Sequence, residues 1–220
     1  METFFTNRHG GFSHGDYGSW NLASHVGDDQ PVVEQNREKL RERVGNFAIM
    51  SQVHGDKVVV VDQLSGEVPV ADSLITGNPD LALVVMVADC IPLLLRSANL
   101  VAAVHVGRAG LMNSIALKTV AKMRELGAMK ISGTIGPAIC GSCYEVPQEL
   151  HDQVTAAHPL ASSKTRIGTS ALDLPKALVA ALTVVDVPVT SSAECTLEDD
   201  DYFSFRRKKI TGRQAGVIKL

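Results

Sequence analysis

A chain of 220 residues with 45% apolar, 20% charged and 5% aromatic side chains buries a core without metal or disulfide staples, and its apolar content excludes disorder. The 21 Lys and Arg against 24 Asp and Glu leave a net charge of −3, no electrostatic footprint for nucleic acid or an anionic membrane. The longest strongly apolar run, Leu81 to Ala88, is closed by Asp80 and Asp89, far short of a membrane span, and Met1 to Gly11 has no hydrophobic signal core, so a cytoplasmic location is expected.

In chain order, Asp28 or Asp29 caps a helix that opens near Pro31 and closes at Gly45, with Val33, Leu40 and Val44 as its apolar stripe. Strand-like runs follow at Lys57–Asp62, Leu81–Ala88, Pro92–Arg96 and Leu100–Val106. A second helix is predicted over Asn113 to Gly127, with Ala116, Val120, Met123 and Leu126 on one face. After a run at Ile131–Ile135 come helices over Pro147–Ala157 and from Asp173-Leu174-Pro175 through Leu182. Strands at Phe203–Arg206 and Gly216–Leu220 complete the set. Strands outnumber helices and do not alternate regularly with them. The expectation is an α/β fold of α+β-like character, a mixed sheet covered by helices, in one domain spanning 1–220.

The most informative stretch is Ala88-Asp89-Cys90-Ile91-Pro92 with Val104-His105-Val106-Gly107. Pro92–Arg96 and Leu100–Val106 read as arms of a hairpin turning at Ser97-Ala98-Asn99. A loop with an even number of residues places Cys90 opposite His105, their Cβ atoms about 5 Å apart on one face. A three-residue loop sets Ile91 there instead. Thiol and imidazole at that distance suit a Cys nucleophile with a His base, or two ligands of a metal. His54, which ends an apolar stretch before a Gly-Asp turn, is the natural third ligand. Two His and one Cys leave the fourth zinc position open, as catalytic sites do.

Other chemistries lack their residues. There is no His-Glu-x-x-His, no P-loop, no Gly-x-Gly-x-x-Gly, and no His-x-Glu with Pro-Cys-x-x-Cys. Multicopper chemistry needs many more imidazoles, and no His-x-His pair is present. Cys140-Gly-Ser-Cys143 has the spacing of a redox pair or a zinc knuckle, but Cys90 and Cys195 are singletons and the flanking Gly-Pro and Pro suggest a loop; neither a zinc site nor a disulfide is expected there. Arg37 falls on the apolar stripe of the first helix, paired either with Asp72 or Asp89 or with a phosphate or carboxylate substrate. Arg206 and Arg213, set among Phe and Gly, are candidate anion contacts, whereas Lys208 and Lys209 read as solvated.

Beside these readings, the chain resembles the YfiH or laccase-domain proteins, also known as the peptidoglycan editing factor or purine nucleoside phosphorylase family. The resemblance rests on Thr6-x-Arg8-x-Gly10-Gly11, Asn36-Arg37, Gln52-Val53-His54-Gly55, Ala71-Asp72-Ser73-Leu74-Ile75-Thr76, Ala88-Asp89-Cys90-Ile91-Pro92, His105-x-Gly107, Gly136-Pro137-Ala138-Ile139, Cys143-Tyr144-Glu145-Val146, Cys195-Thr196, Phe203-Ser204-Phe205-Arg206-Arg207 and Gly212-Arg213. It implies a zinc site of His54, Cys90 and His105, with copper as the other occupant, and small-molecule substrates. These are purine nucleosides with phosphate: phosphorolysis of adenosine, inosine or methylthioadenosine, and deamination of adenosine. In that scheme Asp89 or Glu145 shuttles a proton, and Arg37, with Arg206 and Arg213, contacts phosphate. Some members are described instead as editing peptidoglycan precursors, which a metal-free hydrolase with Cys90 as nucleophile and His105 as base would perform. A binding protein with a decayed site is the non-enzymatic alternative. A departure follows His105: the family's His-Ala-Gly-Trp-Arg-Gly is here His105-Val106-Gly107-Arg108-Ala109-Gly110.

Overall fold

The structure is a computed structural model that describes residues 2–64 and 66–220; Met1, first of the segment read for a signal core, lies outside them. Among the described residues the strands are β1 (Glu2–Phe5), β2 (Phe47–Ala48), β3 (Val58–Val60), β4 (Ser73–Thr76), β5 (Ala82–Val87), β6 (Ile91–Arg96), β7 (Val101–Val106), β8 (Ser132–Ile135), β9 (Ser162–Lys164), β10 (Ser170–Leu172), β11 (Val189–Ser191) and β12 (Gln214–Lys219). The helices are α1 (Gln30–Val44), α2 (Arg108–Met112), α3 (Ile115–Glu125), α4 (Gln148–Ala157) and α5 (Leu174–Val184). No helix of the described residues is long and apolar enough to cross a membrane.

Two sheets stack rather than one. A six-stranded sheet runs β11-β8-β6-β7-β4-β3 and a four-stranded sheet runs β1-β12-β5-β2, each mixing parallel and antiparallel pairs; β9 and β10 form a separate ribbon. Side-chain alternation sorts the core into layers. Leu93, Leu95, Ala102, Val104 and Val106 face Ile115, Val120, Leu178 and Leu182 of the helices. Leu74, Leu83, Val85, Leu94, Val101 and Ala103 meet between the sheets. Val84, Val217 and Ala215 pack beneath Leu40 and Val44 of α1. With both faces covered, β5, β6 and β7 are apolar almost throughout, which is why they stood out as continuous runs. Each fully buried Leu or Val contributes about 1.5–3 kcal/mol.

Several local expectations change. The buried stripe of α1 is Val33, Asn36, Leu40 and Val44, so Arg37 lies beside it. The Arg37 Nε donates to the Leu22 carbonyl at 3.0 Å and its nearest carboxylate is Glu34 at 3.8 Å; neither Asp72 nor Asp89 is its partner. Asp29 stands at the helix start without a side-chain cap bond, while Asp28 accepts from Ser13 and Asn21. The second predicted helix is α3, which starts after Ser114 at φ +63° and leaves Leu126 pointing outward; a short helix the pattern did not show, α2, precedes it. Phe203–Arg206 is a turn, because the Arg206 amide donates to the Asp89 carboxylate and Lys208 closes back on Ser204, leaving no ladder bonds for a strand. The hairpin loop is even, but Arg96 pairs with Val101 and Ser97 closes onto Leu100 through backbone and side chain. Pro92 is therefore the residue opposite His105. The expected register is off by two, which keeps Cys90 on the same face and moves it two positions outward, beyond the end of β6.

Candidate metal centre

His105 shares the parity of Val101 and Ala103, and Asp72 that of Leu74, so both side chains enter the layer between the sheets at its open end. Asp72 is fully buried and organises this corner. Its carboxylate accepts from the amides of Val53 (3.3 Å), His54 (3.0 Å) and Gly55 (2.7 Å), and from His105 Nδ1 at 2.8 Å. Burial favours the neutral acid, yet the His105 and amide bonds hold its pKa below the ordinary value. His54 adopts φ +59°, in the left-handed region, and that turn presents its ring beside His105, the ring centroids 4.6 Å apart and edge-on.

Cys90 follows Asp89, itself at φ +84°, and brings its Sγ to 3.8 Å from His54 Nε2. With Nδ1 engaged by Asp72, His105 has Nε2 left to ligate, and one donor atom from each of His54, Cys90 and His105 lies within 4.8 Å of the others. Burial opposes ionisation of Cys90, but hydrogen bonds from the two imidazoles outweigh it and draw the thiol down to about 6; although burial opposes it, Asp72 and Cys90 raise His105 to about 9. Two ring nitrogens and a thiol poised to ionise are a donor set that zinc or copper accepts, and the carboxylate behind His105 is the outer-shell partner that metal-bound histidines carry. A Cβ on Gly107 would lie 3.0 Å from both Cys90 Sγ and His54 Cδ2, so any side chain there pushes the two donors apart. Gly107→Ala is accordingly expected to weaken metal binding by about 10-fold or more, read by competition with a chromogenic chelator.

Cys90 also lines a cavity of about 230 Å³, just below the roughly 300–1,000 Å³ of drug-sized ligand sites. Its walls carry three cations, Arg108, Arg206 and Lys209, and two aromatic rings, Tyr144 and Phe205. A larger hollow of about 620 Å³ lies elsewhere, against β2 and β3, and contains none of these groups. Arg206 donates to the Glu145 carbonyl at 2.8 Å and lies over the Tyr144 ring at 5.0 Å. Burial and then the Cys90 charge push the Tyr144 hydroxyl upward, keeping it a proton donor. Asp89 also lines the cavity, but its oxygens accept from Thr196 Oγ1 at 2.7 Å and the Arg206 amide at 2.6 Å. Arg213 lies over Phe205, its guanidinium turned back onto the carbonyls of Thr211 and Gly212, and burial is the main influence lowering its pKa. Arg37 and Arg213 both act on the charge of His25, while Arg37 does not line the Cys90 cavity.

The sequence reading missed Asp72 as a partner of His105, and Arg108, Tyr144, Phe205 and Lys209 as cavity walls. Arg108 had a signal in the residues after His105: it occupies the family's Trp position, and α2 starting there points it into the cavity. Lys209 is exposed, as its sequence setting suggests, and also borders the cavity. Cys195, read as a singleton, reaches Cys140 and Cys143, with Glu198 beside them.

A family model described as multi-copper polyphenol oxidoreductase laccase matches residues 2–220. The chain belongs to this laccase-domain family. Curated relatives in it include a purine nucleoside phosphorylase of Corynebacterium glutamicum, 42% identical over 98% of this chain and 93% of its own length. Another from Streptomyces griseus is 43% identical with the same coverage. Among solved structures, a Neisseria meningitidis protein superposes with a TM-score of 0.91 at 34% identity, covering 99% of this chain and 93% of its own. Bacillus licheniformis YfiH gives 0.90 at 28% identity, covering 99% and 92%. The mixed two-sheet architecture is thus the YfiH-like one, and this laccase-domain protein has relatives named as enzymes of small-molecule substrates.

Proposed function

We propose that this chain is a cytoplasmic purine nucleoside phosphorylase, cleaving adenosine, inosine or methylthioadenosine with phosphate, and that the same centre hydrolyses adenosine to inosine and ammonia. The observation that carries the reading is the cationic cavity opening on Cys90 of a His54, Cys90, His105 donor set. Zinc is the proposed metal, with copper the competing occupant; when bound, it supplies Lewis acidity at the centre. In phosphorolysis the C1′–N9 bond breaks and a C1′–O bond to phosphate forms, so the acceptor anion must be held beside the ribose. Arg206, with Arg108 and Lys209, provides that positive wall, and Arg213 sits behind Phe205 as further positive charge. Phe205 and Tyr144 offer faces for the flat base, and the Tyr144 hydroxyl donates to the purine nitrogen that takes up charge as it leaves. Asp89 acts by position: it fixes the Arg206 turn through the amide. Arg37 supports the Leu22–Ser24 segment instead of touching phosphate.

The test is phosphate-dependent release of the purine base and ribose 1-phosphate by purified protein; base release indifferent to phosphate overturns the reading. Arg206→Ala is expected to raise the KM for phosphate by about 10–100-fold, the loss of a charge-assisted hydrogen bond, with a smaller change in kcat.

A second reading has its own observation: Cys90, His105 and Asp72 are linked as nucleophile, base and orienting carboxylate would be. That arrangement would suit a metal-free hydrolase acting on amide-like peptidoglycan precursors. It leaves the His54 ring, held against the same sulfur, without a task.

A further inference from the structure

Away from the cavity, the loop after β8 and the loop before the Phe203 turn bring together two pairs of equal spacing. Cys140-Gly-Ser-Cys143 contributes the first and Cys195-Thr-Leu-Glu198 the second. One donor atom from each of the four residues lies within 4.8 Å of the other three. Tetrahedral zinc with bonds to sulfur near 2.3 Å sets its ligands about 3.8 Å apart, so the four donors need only a small inward adjustment. The sequence lacks a second Cys pair; the tertiary fold supplies its equivalent, with a carboxylate in the fourth place.

We propose that Cys140, Cys143, Cys195 and Glu198 form a second, structural zinc site, closed by four protein ligands and separate from the His54, Cys90, His105 centre. The backbone already has the form of a metal clip. The amides of Cys143 and Tyr144 both turn back onto the Cys140 carbonyl, at 3.1 and 3.0 Å, and those of Glu198 and Asp199 onto the Cys195 carbonyl, at 3.1 and 2.9 Å. Each pair is thus wound into a tight turn that aims its two side chains the same way. The Cys140 amide donates to Cys195 Sγ at 3.3 Å, the kind of bond that stabilises a thiolate. Cys143 Sγ donates to Glu198 Oε1 at 3.0 Å; zinc takes the place of that proton and keeps sulfur and carboxylate together. The same Oε1 also pairs with Arg166, so ligation by Glu198 uses its second oxygen or shares Oε1 with that guanidinium. Three sulfurs and one oxygen favour zinc over harder cations.

The clip braces the cavity. Thr196, beside Cys195, holds the Asp89 carboxylate, and Tyr144, beside Cys143, forms a cavity wall. Arg207 spans the same loop through the carbonyls of Thr196, Leu197 and Asp199.

The full chain, purified under reducing conditions and stripped of metal, is titrated with cobalt as a zinc surrogate. Wild type is expected to bind two equivalents. Cys90→Ser, which removes the only sulfur of the first centre, retains one equivalent with a strong thiolate-to-cobalt charge-transfer band, and adding Cys195→Ser to that variant weakens or abolishes the band. X-ray absorption on the zinc-loaded wild type needs no variant: two filled sites give an average of about two sulfurs per zinc near 2.3 Å, and the His54 centre alone gives about one. A single equivalent in wild type, or Cys90→Ser that folds yet binds no cobalt, overturns the proposal. Because the readout is metal content, it stands or falls independently of nucleoside turnover.

Discussion

Replacing His54 with alanine is expected to lower phosphate-dependent nucleoside cleavage by on the order of 10³-fold, the same loss as Cys90→Ser. A catalytic metal contributes several kcal/mol of charge stabilisation in the transition state, and about 4 kcal/mol corresponds to that factor. His54 is the decisive position because the two chemistries open to this corner treat it differently. A thiol nucleophile needs a single base, and His105, oriented by Asp72 at 2.8 Å, already fills that role. Metal binding needs both rings, and the strained φ of +59° at His54 is spent on turning its ring toward the 3.8 Å contact with Cys90. Chelator treatment of wild type should reproduce the loss, and added zinc should restore wild type but not the His54 variant. Near-wild-type turnover in His54→Ala, with Cys90→Ser inactive and chelators without effect, would instead establish the nucleophile reading. Steady-state assays with inosine and phosphate decide between them.

The second large effect is expected at Asp72, which does not line the Cys90 cavity. Asp72→Asn replaces one acceptor oxygen with an NH₂ group facing donors, so at least one of the bonds from His105 and the amides of Val53, His54 and Gly55 is lost. Each buried donor left unsatisfied costs about 1–3 kcal/mol, and loss of the carboxylate behind a metal-bound histidine costs about 10–100-fold in metal affinity. Asp72→Asn should therefore melt earlier and hold metal more weakly, while the KM for phosphate stays close to wild type because Arg206 is unmoved. Thermal unfolding, metal competition and phosphate titration read the three effects separately. Unchanged metal affinity in a folded Asp72→Asn protein would remove Asp72 from the site.

Local pattern carried part of this molecule. The sequence determined the long apolar strands β5, β6 and β7, the helices α1 and α5 with their Pro and Asp starts, and the reversal that puts Cys90 and His105 on one face. Each follows from a period of two or 3.6 residues, or from a short turn, and such patterns are complete within a dozen residues. The residue chemistry also singled out His54, which the structure sets beside Cys90 and His105, and the motifs named the family.

Tertiary structure decided what depends on partners far apart in the chain. β4 is only four residues long and buried on both faces, so it has no alternation to read, yet it delivers Asp72 to His105. The hairpin register was settled by Ser97 folding onto Leu100, which moved Cys90 two positions outward along an otherwise correct face. Arg37 gave up its expected carboxylate because α1 packs on the outer sheet, a layer away from Asp72. Arg108, Lys209 and the pairing of Cys195 with Cys140 exist only once loops separated by 50 or more residues close on one another. Backbone propensity acts over neighbours, whereas a charge or a ligand is satisfied by whatever the folded chain places within a few ångströms of it; the first is written locally, and the second is set only when the layers have stacked.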